Sequence, residues 1–284
     1  MKESLGQYAA RDGKMLNFRK WPGPDDVIVY LHGIESNSGW FSSFASQLAE
    51  SGFTLYGIDR RGSGLNYENR GDIKDYNIFL DDIEDAVSFV KKENPAKRVY
   101  IMGICWGAFL AVNYSINRHS NPDGLILLSP AIYRKVDFKA GPKIAARACS
   151  LVYPKAYFKI PIKDRMFTDN SRYLDFIRSD KMRLGSLTCR FFKEILRMEN
   201  DFAFKSNELF LPVLVLLAGH DEIVDNRKIH NWFDSLPAED KTIKTFTNFH
   251  HVMPFEEDTS PILDAISGWI KKRKVPLAVQ SIKN

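Results

Sequence analysis

The sequence has few cysteines and no long apolar run, and both facts narrow what this chain of 284 residues can be. Its three cysteines, Cys105, Cys149 and Cys189, form no spaced framework and no metal-binding motif. The first residues are polar, and no stretch has the length of a membrane span. We therefore expect a cytoplasmic protein with reduced thiols, without a secretory signal or a transmembrane segment.

Internal repeats and low-complexity segments are also missing, and the histidines lack the spacing of metal ligands. Hydrophobic residues make up 44% of the chain and charged residues 26%, which is ordinary for a globular protein. At this length the chain can bury a substantial core as one α/β domain, with or without an insertion. We expect neither a metal nor a cofactor.

Positive charge is concentrated in the middle of the chain. Residues 132–200 contain 16 Lys and Arg against 7 Asp and Glu, although the whole chain has a net charge of only +5. This asymmetry has two interpretations. The segment faces an anionic partner, such as acyl-CoA, an acyl carrier protein or a membrane surface, or it is a solvated helical face. Nucleic-acid binding is not expected, because the charge is confined to one segment without aromatic interleaving.

Strand and helix patterns alternate along most of the chain. Residues 8–21 have a hairpin pattern around Asp12-Gly13. Strand patterns occur at residues 27–31, 53–58, 99–102, 124–129, 213–218 and 242–246, and those at 27–31 and 99–102 are typical of buried strands. Helical periodicity separates these strands, and the alternation predicts an α/β fold with a doubly wound, mostly parallel sheet.

Between Pro130 and about Ser206 the alternation stops. The segment is basic and helical in composition, and prolines interrupt it. We interpret it as a helical cap inserted after the sixth strand, over the carboxyl edge where open α/β sheets bind ligands. The predicted organisation is a core at residues 1–130 and 207–284 with a basic cap at 131–206. Apolar cap residues either line an acyl pocket or pack on the core: Leu151, Val152, Tyr157, Phe158, Phe167, Phe191 and Phe192.

The stretch Gly103-Ile-Cys-Trp-Gly107 lies between a buried strand pattern and a helix. G-x-C-x-G is the nucleophile-elbow pattern with a thiol in place of the usual serine hydroxyl. The nucleophile of such an elbow sits on a strained turn, where the chain crosses itself so closely that only small residues fit two positions away. Cys105, at a helix N-terminus, is therefore the candidate nucleophile; the alternative is a small buried apolar side chain.

Two later loops offer an acid and a base downstream of this cysteine. Asp221 follows a strand pattern, at the edge of the sheet where catalytic groups gather, and is the candidate acid. Asp225, just ahead of a helix, better fits an N-cap. His250 and His251 follow the next strand pattern. Either histidine completes the order nucleophile, acid, base, and spacing alone leaves both open.

Together these stretches resemble the α/β-hydrolases of the monoacylglycerol lipase and lysophospholipase type. The matching stretches are Leu31-His-Gly33, Asp59-Arg-Arg-Gly-Ser-Gly64, Met102-Gly-Ile-Cys-Trp-Gly107, Gly219-His-Asp221 and His251-Val-Met with Glu256. The resemblance implies His251 as the base and Asp221 as the acid. It also implies the backbone N–H groups of Ile34 and Trp106 as oxyanion donors, with His32 and Gly33 at the substrate.

The resemblance departs at Cys105, because that family uses serine. Cysteine is found at this position in dienelactone hydrolases and polyhydroxyalkanoate synthases. The expected function is hydrolysis of esters or thioesters through a Cys105–His251–Asp221 triad and an acyl-enzyme. The alternatives are an acyltransferase with the same nucleophile, a non-catalytic binding protein on a hydrolase fold, and a serine esterase whose serine was replaced by Cys105 through engineering.

Overall fold

The computed structural model describes residues 2–118, 122–136 and 148–273. Eight strands form its main sheet: β1 (Ser4–Ala9), β2 (Met15–Trp21), β3 (Val27–Leu31), β4 (Thr54–Ile58), β5 (Val99–Ile104), β6 (Gly124–Leu128), β9 (Val213–His220) and β10 (Lys241–His250). Their order in the sheet is β1-β2-β4-β3-β5-β6-β9-β10. Strands β1 and β2 pair antiparallel, as do β2 and β4, and the remaining neighbours are parallel.

The structure confirms the predicted doubly wound, mostly parallel sheet. Every residue of β3, β4, β5 and β6 is buried, which matches their continuous apolar sequences. The first hairpin begins at Ser4 rather than at Tyr8, because β1 is an edge strand held by backbone pairing to β2. Its side chains are mostly exposed, so the sequence around Ser4 carries little apolar pattern.

Seven helices can be bounded within the described residues: α1 (Ser42–Glu50), α2 (Asn77–Glu93), α3 (Trp106–Asn117), α4 (Ser171–Ser179), α5 (Cys189–Lys205), α6 (Asn226–Ser235) and α7 (Ser260–Lys272). Helix α3 follows β5 directly and is buried along its first nine residues, from Trp106 to Tyr114. In the part of the chain that the structure describes, none of the helices has both the length and the apolar character needed to cross a bilayer.

The segment between β6 and β9 is not wholly helical. It contains α4 and α5, but also a two-stranded antiparallel sheet formed by β7 (Tyr157–Lys159) and β8 (Ser186–Thr188). These strands are too short to produce a recognisable alternation in the sequence. Residues 137–147, which include Pro142, lie outside the described residues.

Arginines of this segment form ion pairs with carboxylates of the core. Arg183 contacts Glu35 at 2.7 Å, Arg197 contacts Asp75 at 3.5 Å, and Arg190 pairs with Asp72. The basic segment and the acidic remainder are thus complementary surfaces of one chain. This gives the charge asymmetry a third explanation, beside an anionic partner and a solvated face, and the acyl-CoA or carrier-protein partner stays a prediction.

The loops that follow β3, β4, β5, β9 and β10 emerge at the same edge of the sheet, because the strands from β4 to β10 in the sheet are parallel. They carry Gly33-Ile34, Asp59-Arg60, Cys105, Asp221 and His251 respectively. The fold therefore gathers the predicted site residues from four separate stretches of sequence and places Asp59 and Arg60 beside them.

Candidate active site

Cys105 occupies a sharp bend between β5 and α3. Its backbone φ is +55°, a left-handed conformation that is strained for a residue with a side chain. The flanking glycines permit the bend. A Cβ at Gly103 would lie 2.5 Å from the backbone nitrogen of Ala108, and one at Gly107 would lie 2.2 Å from the carbonyl oxygen of Leu31. The spacing of the G-x-C-x-G pattern thus has a steric cause in this fold.

His251 and Asp221 form a buried pair at the same edge of the sheet. Nδ1 of His251 lies 2.8 Å from Oδ2 of Asp221, and both side chains are inaccessible to solvent. Oδ1 of Asp221 accepts the backbone N–H groups of Ile223 and Val224, each at 2.8 Å. An ionised carboxylate only accepts hydrogen bonds, so Nδ1 carries a proton and Nε2 faces away from the pair.

Nε2 of His251 has no hydrogen-bond partner among the described residues. Cys105 and His251 line the same cavity, and the cysteine lies close enough to affect the ionisation of the imidazole. Burial alone would lower the pKa of His251, but the negative charges of Asp221 and Cys105 outweigh it and raise that pKa. Burial alone would likewise raise the pKa of Asp221, which the neighbouring His251 and the two N–H groups hold below its usual value.

His250 points away from this cavity. Its Nδ1 lies 3.1 Å from Oε1 of Glu256 and 3.4 Å from Oδ1 of Asp169. The two histidines differ in place because His250 is the last residue of β10 and His251 the first residue beyond it. Asp225 caps α6 by accepting the N–H of Lys228, as its position ahead of that helix predicts.

Ile34 and Trp106 flank the cysteine. Trp106 is the first residue of α3, so its N–H has no partner within the helix. Ile34 lines the cavities on either side of Cys105, and a Cβ at the preceding Gly33 would lie 3.4 Å from Cβ of Cys105. The loop after β3 thus comes into contact with the bend that carries the thiol.

His32, predicted from the resemblance to lie at the substrate, has both ring nitrogens bound by the protein. Its ring is buried beneath the loop, where Nδ1 lies 2.8 Å from the carbonyl oxygen of Gly33 and Nε2 accepts the backbone N–H of Arg60 at 3.0 Å. Both ring nitrogens are therefore engaged by the protein, and the side chain supports the loop from behind. Gly33 does line the cavity beside Cys105.

Two narrow cavities meet at Cys105. One is bordered by loop residues, His251 and the rings of Tyr30, Trp40, Phe41 and Phe167. The other lies beneath the cap and has almost wholly apolar walls, formed by Ile34, Trp106, Ala131, Val136, Ile160, Pro161, Ile162, Leu187, Phe192, Ile195 and Ile223, with Arg134 at its border. Cys105 thus borders both cavities, one lined by His251 and the loop after β3 and the other by apolar side chains of the cap and core.

The apolar cap residues named from the sequence divide into three groups. Phe167 and Phe192 line the cavities at Cys105. Phe158 and Phe191 pack on other rings, those of Phe192 and Trp106. Leu151, Val152 and Tyr157 are exposed on the surface and border neither cavity.

Sequence reasoning missed two charged residues beside the loop after β3. Arg60 is buried and donates to the carbonyl oxygens of Gly33 and Ile34, and Glu35 is buried against Arg183. Two arginines directly after the buried strand β4 were a signal for the first, since charge at the end of an apolar strand faces the functional edge. The partner of Glu35 lies almost 150 residues away, and no local pattern points to it.

Comparison with known proteins relates the whole fold to hydrolases. Residues 22–258 match the family described as "Serine aminopeptidase, S33". The monoglyceride lipase of Rattus norvegicus is 26% identical over 279 residues, which cover 95% of this chain and 91% of that protein. Phospholipase YtpA of Bacillus subtilis is 22% identical, over 85% of this chain and 93% of its own length.

A soluble variant of the monoglyceride lipase of Saccharomyces cerevisiae, crystallised with a substrate analogue, has a similar structure. The TM-score is 0.82 at 19% identity, and the match covers 96% of this chain and 95% of that chain. At this level of identity the likeness supports the fold alone.

Proposed function

Because this chain belongs to the serine aminopeptidase S33 family, we propose that it is an acyl hydrolase that works through a Cys105–His251–Asp221 triad. The protein is an enzyme that acts on ester bonds, as lipase and phospholipase relatives along most of its length indicate. The proposal adds the nucleophile, the covalent acyl-enzyme and the class of acyl substrate.

The observation that carries the proposal is the state of His251. Its Nδ1 is held at 2.8 Å by the buried carboxylate of Asp221, while its Nε2 has no partner among the described residues. A buried imidazole nitrogen without a partner is costly unless it serves a reacting group. The thiol of Cys105 borders the same cavity and supplies that group.

The reaction follows from these positions. Nε2 of His251 takes the thiol proton, and Sγ of Cys105 bonds to the acyl carbon, whose oxygen becomes an oxyanion. The N–H groups of Ile34 and Trp106 donate to that oxyanion. The bond to the leaving group then breaks, the imidazolium returns the proton to the departing atom, and water releases the acid in a second cycle. The raised pKa of His251 favours the imidazolium that this sequence requires.

The thiol restricts the substrates. A thiolate is a better leaving group than an alkoxide, so a tetrahedral intermediate formed from an alkyl ester tends to expel Cys105 again. The intermediate goes forward when the substrate's own leaving group is comparably stable, as in a thioester, an aryl or enol ester, or a strained lactone. We therefore propose activated acyl substrates, with thioesters foremost.

The acyl group fits the apolar space beneath the cap. That cavity has walls of aliphatic and aromatic side chains and opens at Cys105, whereas the smaller space on the other side carries the backbone groups of the loop after β3. A lipid-like acyl chain beneath the cap and a compact leaving group beside Glu35 agree with this division.

One acyl chain offered with three leaving groups tests the proposal: a thioester, a p-nitrophenyl ester and a monoacylglycerol. We expect intact-protein mass spectrometry to show an acyl adduct on Cys105, and turnover of the thioester and the p-nitrophenyl ester to exceed that of the monoacylglycerol. The Cys105→Ala variant should form no adduct, and Cys105→Ser should lose the preference for the thioester. Equal turnover of all three substrates by the wild-type protein would refute the restriction to activated substrates, and an adduct elsewhere would refute the nucleophile.

A further inference from the structure

We propose that Arg60 is a positioning residue for the oxyanion hole. Its side chain holds and polarises the peptide group between Gly33 and Ile34 from the side away from the cavity, and it fixes Trp106 by stacking on the indole ring. The proposal rests on the proposed function and extends it to a side chain that does not line the cavity at Cys105 and acts on the cysteine only through its charge. Four observations carry it.

The first is the connection through one peptide group. Nη1 of Arg60 donates to the carbonyl oxygen of Gly33 at 3.2 Å, and Nη2 donates to the carbonyl oxygen of Ile34 at 2.8 Å. The carbonyl of Gly33 and the N–H of Ile34 belong to the same amide. A cation that binds the oxygen of an amide draws electron density from its nitrogen and strengthens the N–H as a donor.

The second observation is a second donor on the same oxygen. Nδ1 of His32 lies 2.8 Å from the carbonyl oxygen of Gly33, and Nε2 accepts the backbone N–H of Arg60. Because Nε2 accepts, Nδ1 must carry the proton and donate it to the carbonyl. Burial lowers the pKa of His32 well below its usual value, and the charge of Arg60 lowers it further, so the ring stays neutral in this tautomer.

The third observation joins the other predicted donor to the same guanidinium. The central carbon of the Arg60 guanidinium lies 4.9 Å from the ring centroid of Trp106 and 5.9 Å from that of Phe79. A guanidinium over an aromatic face is attracted by the ring and fixes its position. One side chain therefore restrains both residues whose N–H groups face the acyl oxygen in the proposed mechanism.

The fourth observation is the charge itself. Arg60 is buried, and among the described residues no carboxylate lies within ion-pair distance of it; Asp59, which accepts the N–H groups of Ser38 and Leu65, acts on its charge only from further away. Burial lowers the pKa of Arg60 to about 9, which leaves it charged at neutral pH. A buried, unpaired cation destabilises a protein unless a negative charge forms nearby. An oxyanion on the other side of the Gly33–Ile34 peptide provides that charge during the reaction.

Two reactions of the same thiol separate this role from a purely structural one. Acylation of Cys105 by a thioester passes through an oxyanion, whereas alkylation by iodoacetamide does not. In Arg60→Met we expect the acylation rate to fall by about 10- to 100-fold, below the full effect of a deleted donor, with KM nearly unchanged. The alkylation rate, followed as a function of pH and expressed per ionised thiol, should stay within about threefold of wild type.

Arg60→Lys keeps the charge but not the planar fork, and should recover part of the lost acylation rate. Arg61→Met is the matched control, since Arg61 lies in the same loop but pairs with Asp82 and Asp12 away from the site. Its acylation rate should equal that of wild type, whatever it does to stability.

Each other outcome has a definite meaning. Wild-type acylation in Arg60→Met would overturn the role of Arg60 and leave the proposed function standing. An equal fall in the rates of acylation and alkylation would show that Arg60 only maintains the fold of the site, and this result would also overturn its proposed positioning role. If the wild-type protein alkylates at Cys105 but never acylates there, the proposed function fails and this inference fails with it.

Discussion

The carboxyl edge of the sheet and the cap hold their functional side chains by different means. At the edge, backbone geometry does the positioning: the strained bend places Cys105, and the first residue beyond β10 places His251 against Asp221 at 2.8 Å. At the contact between cap and core, long side chains do it, as in the ion pair between Arg183 and Glu35 at 2.7 Å.

This difference separates a rigid part of the molecule from an adjustable one. Cys105 is fixed by the crossing of two backbone segments and cannot move without disturbing the sheet, because backbone atoms already fill the Cβ positions of Gly103 and Gly107. An arginine can leave its carboxylate by rotating a side chain, at the cost of an exposed or buried unpaired charge. In the proposed mechanism the reacting groups therefore lie at the edge, and the cap covers the apolar cavity beside them.

The largest effect should come from a change at the edge that leaves the backbone intact. We expect His251→Asn to lower kcat for the thioester by at least about 10³-fold, because it removes the proton acceptor of Cys105. His250→Asn is the matched control. Its ring contacts Glu256 and Asp169 rather than the cavity, so activity should stay within about tenfold of wild type.

Steady-state turnover of both variants, with circular dichroism to confirm folding, decides between the neighbouring histidines. Equal losses in the two variants would contradict the assignment of the base to His251. A large loss in His250→Asn alone would mean that the ring next to Glu256 takes part in the chemistry.

The same difference explains how much of the molecule was predictable. The sheet, the elbow and the order Cys105, Asp221, His251 follow from patterns of a few consecutive residues, each of which has a local physical cause. Spacing left both His250 and His251 open as the base, and only the resemblance selected His251. Which ring faces the cavity depends on where β10 ends, and the strand extends to His250, beyond the predicted residues 242–246.

The contacts between the cap and the core, and those of Arg60 beneath the loop after β3, could not be predicted for one reason. Arg183 with Glu35 and Arg60 with Gly33 are pairings between residues far apart in the sequence, formed only when the strands and the cap assemble. Composition indicated a basic segment, but it did not reveal that arginines of this segment meet carboxylates of the core. Exposed and ion-paired arginines have the same sequence pattern, and only the fold distinguishes them.

A medium effect should appear at the contact between cap and core, and it should depend on pH. Burial raises the pKa of Glu35 to about 7 from its usual 4.5, although the charge of Arg183 opposes this shift. A carboxyl whose pKa is higher in the folded protein stabilises the fold most when protonated, so this contribution is present below about pH 4.5 and is lost as the pH rises through about 7. The loss amounts to about 3 kcal/mol in total.

Urea denaturation at about pH 5 and about pH 8 measures this contribution. Glu35→Gln should flatten the dependence of the unfolding free energy on pH. Arg183→Met removes the charge that favours the ionised carboxylate, so it should steepen the loss between the two pH values. The double variant should be as flat as Glu35→Gln. If the unfolding free energy of Glu35→Gln still depended steeply on pH, a group other than Glu35 would be responsible for the titration.

The smallest effect should come from the outer face of the cap. Asp175 lies 3.5 Å from Arg178 on α4, one turn apart, and the two side chains are 81% and 57% exposed. Solvent screens such a pair, so Asp175→Asn should change the free energy of unfolding by less than about 0.5 kcal/mol, in low salt as in high salt. Because Arg178 also contacts Asp164 at 3.3 Å, it keeps a partner in the variant. If the free energy of unfolding in urea fell by more than about 1 kcal/mol, exposed ion pairs would stabilise the cap as strongly as the buried pair of Glu35 and Arg183. The outer face of the cap would then not differ from the face that contacts the core.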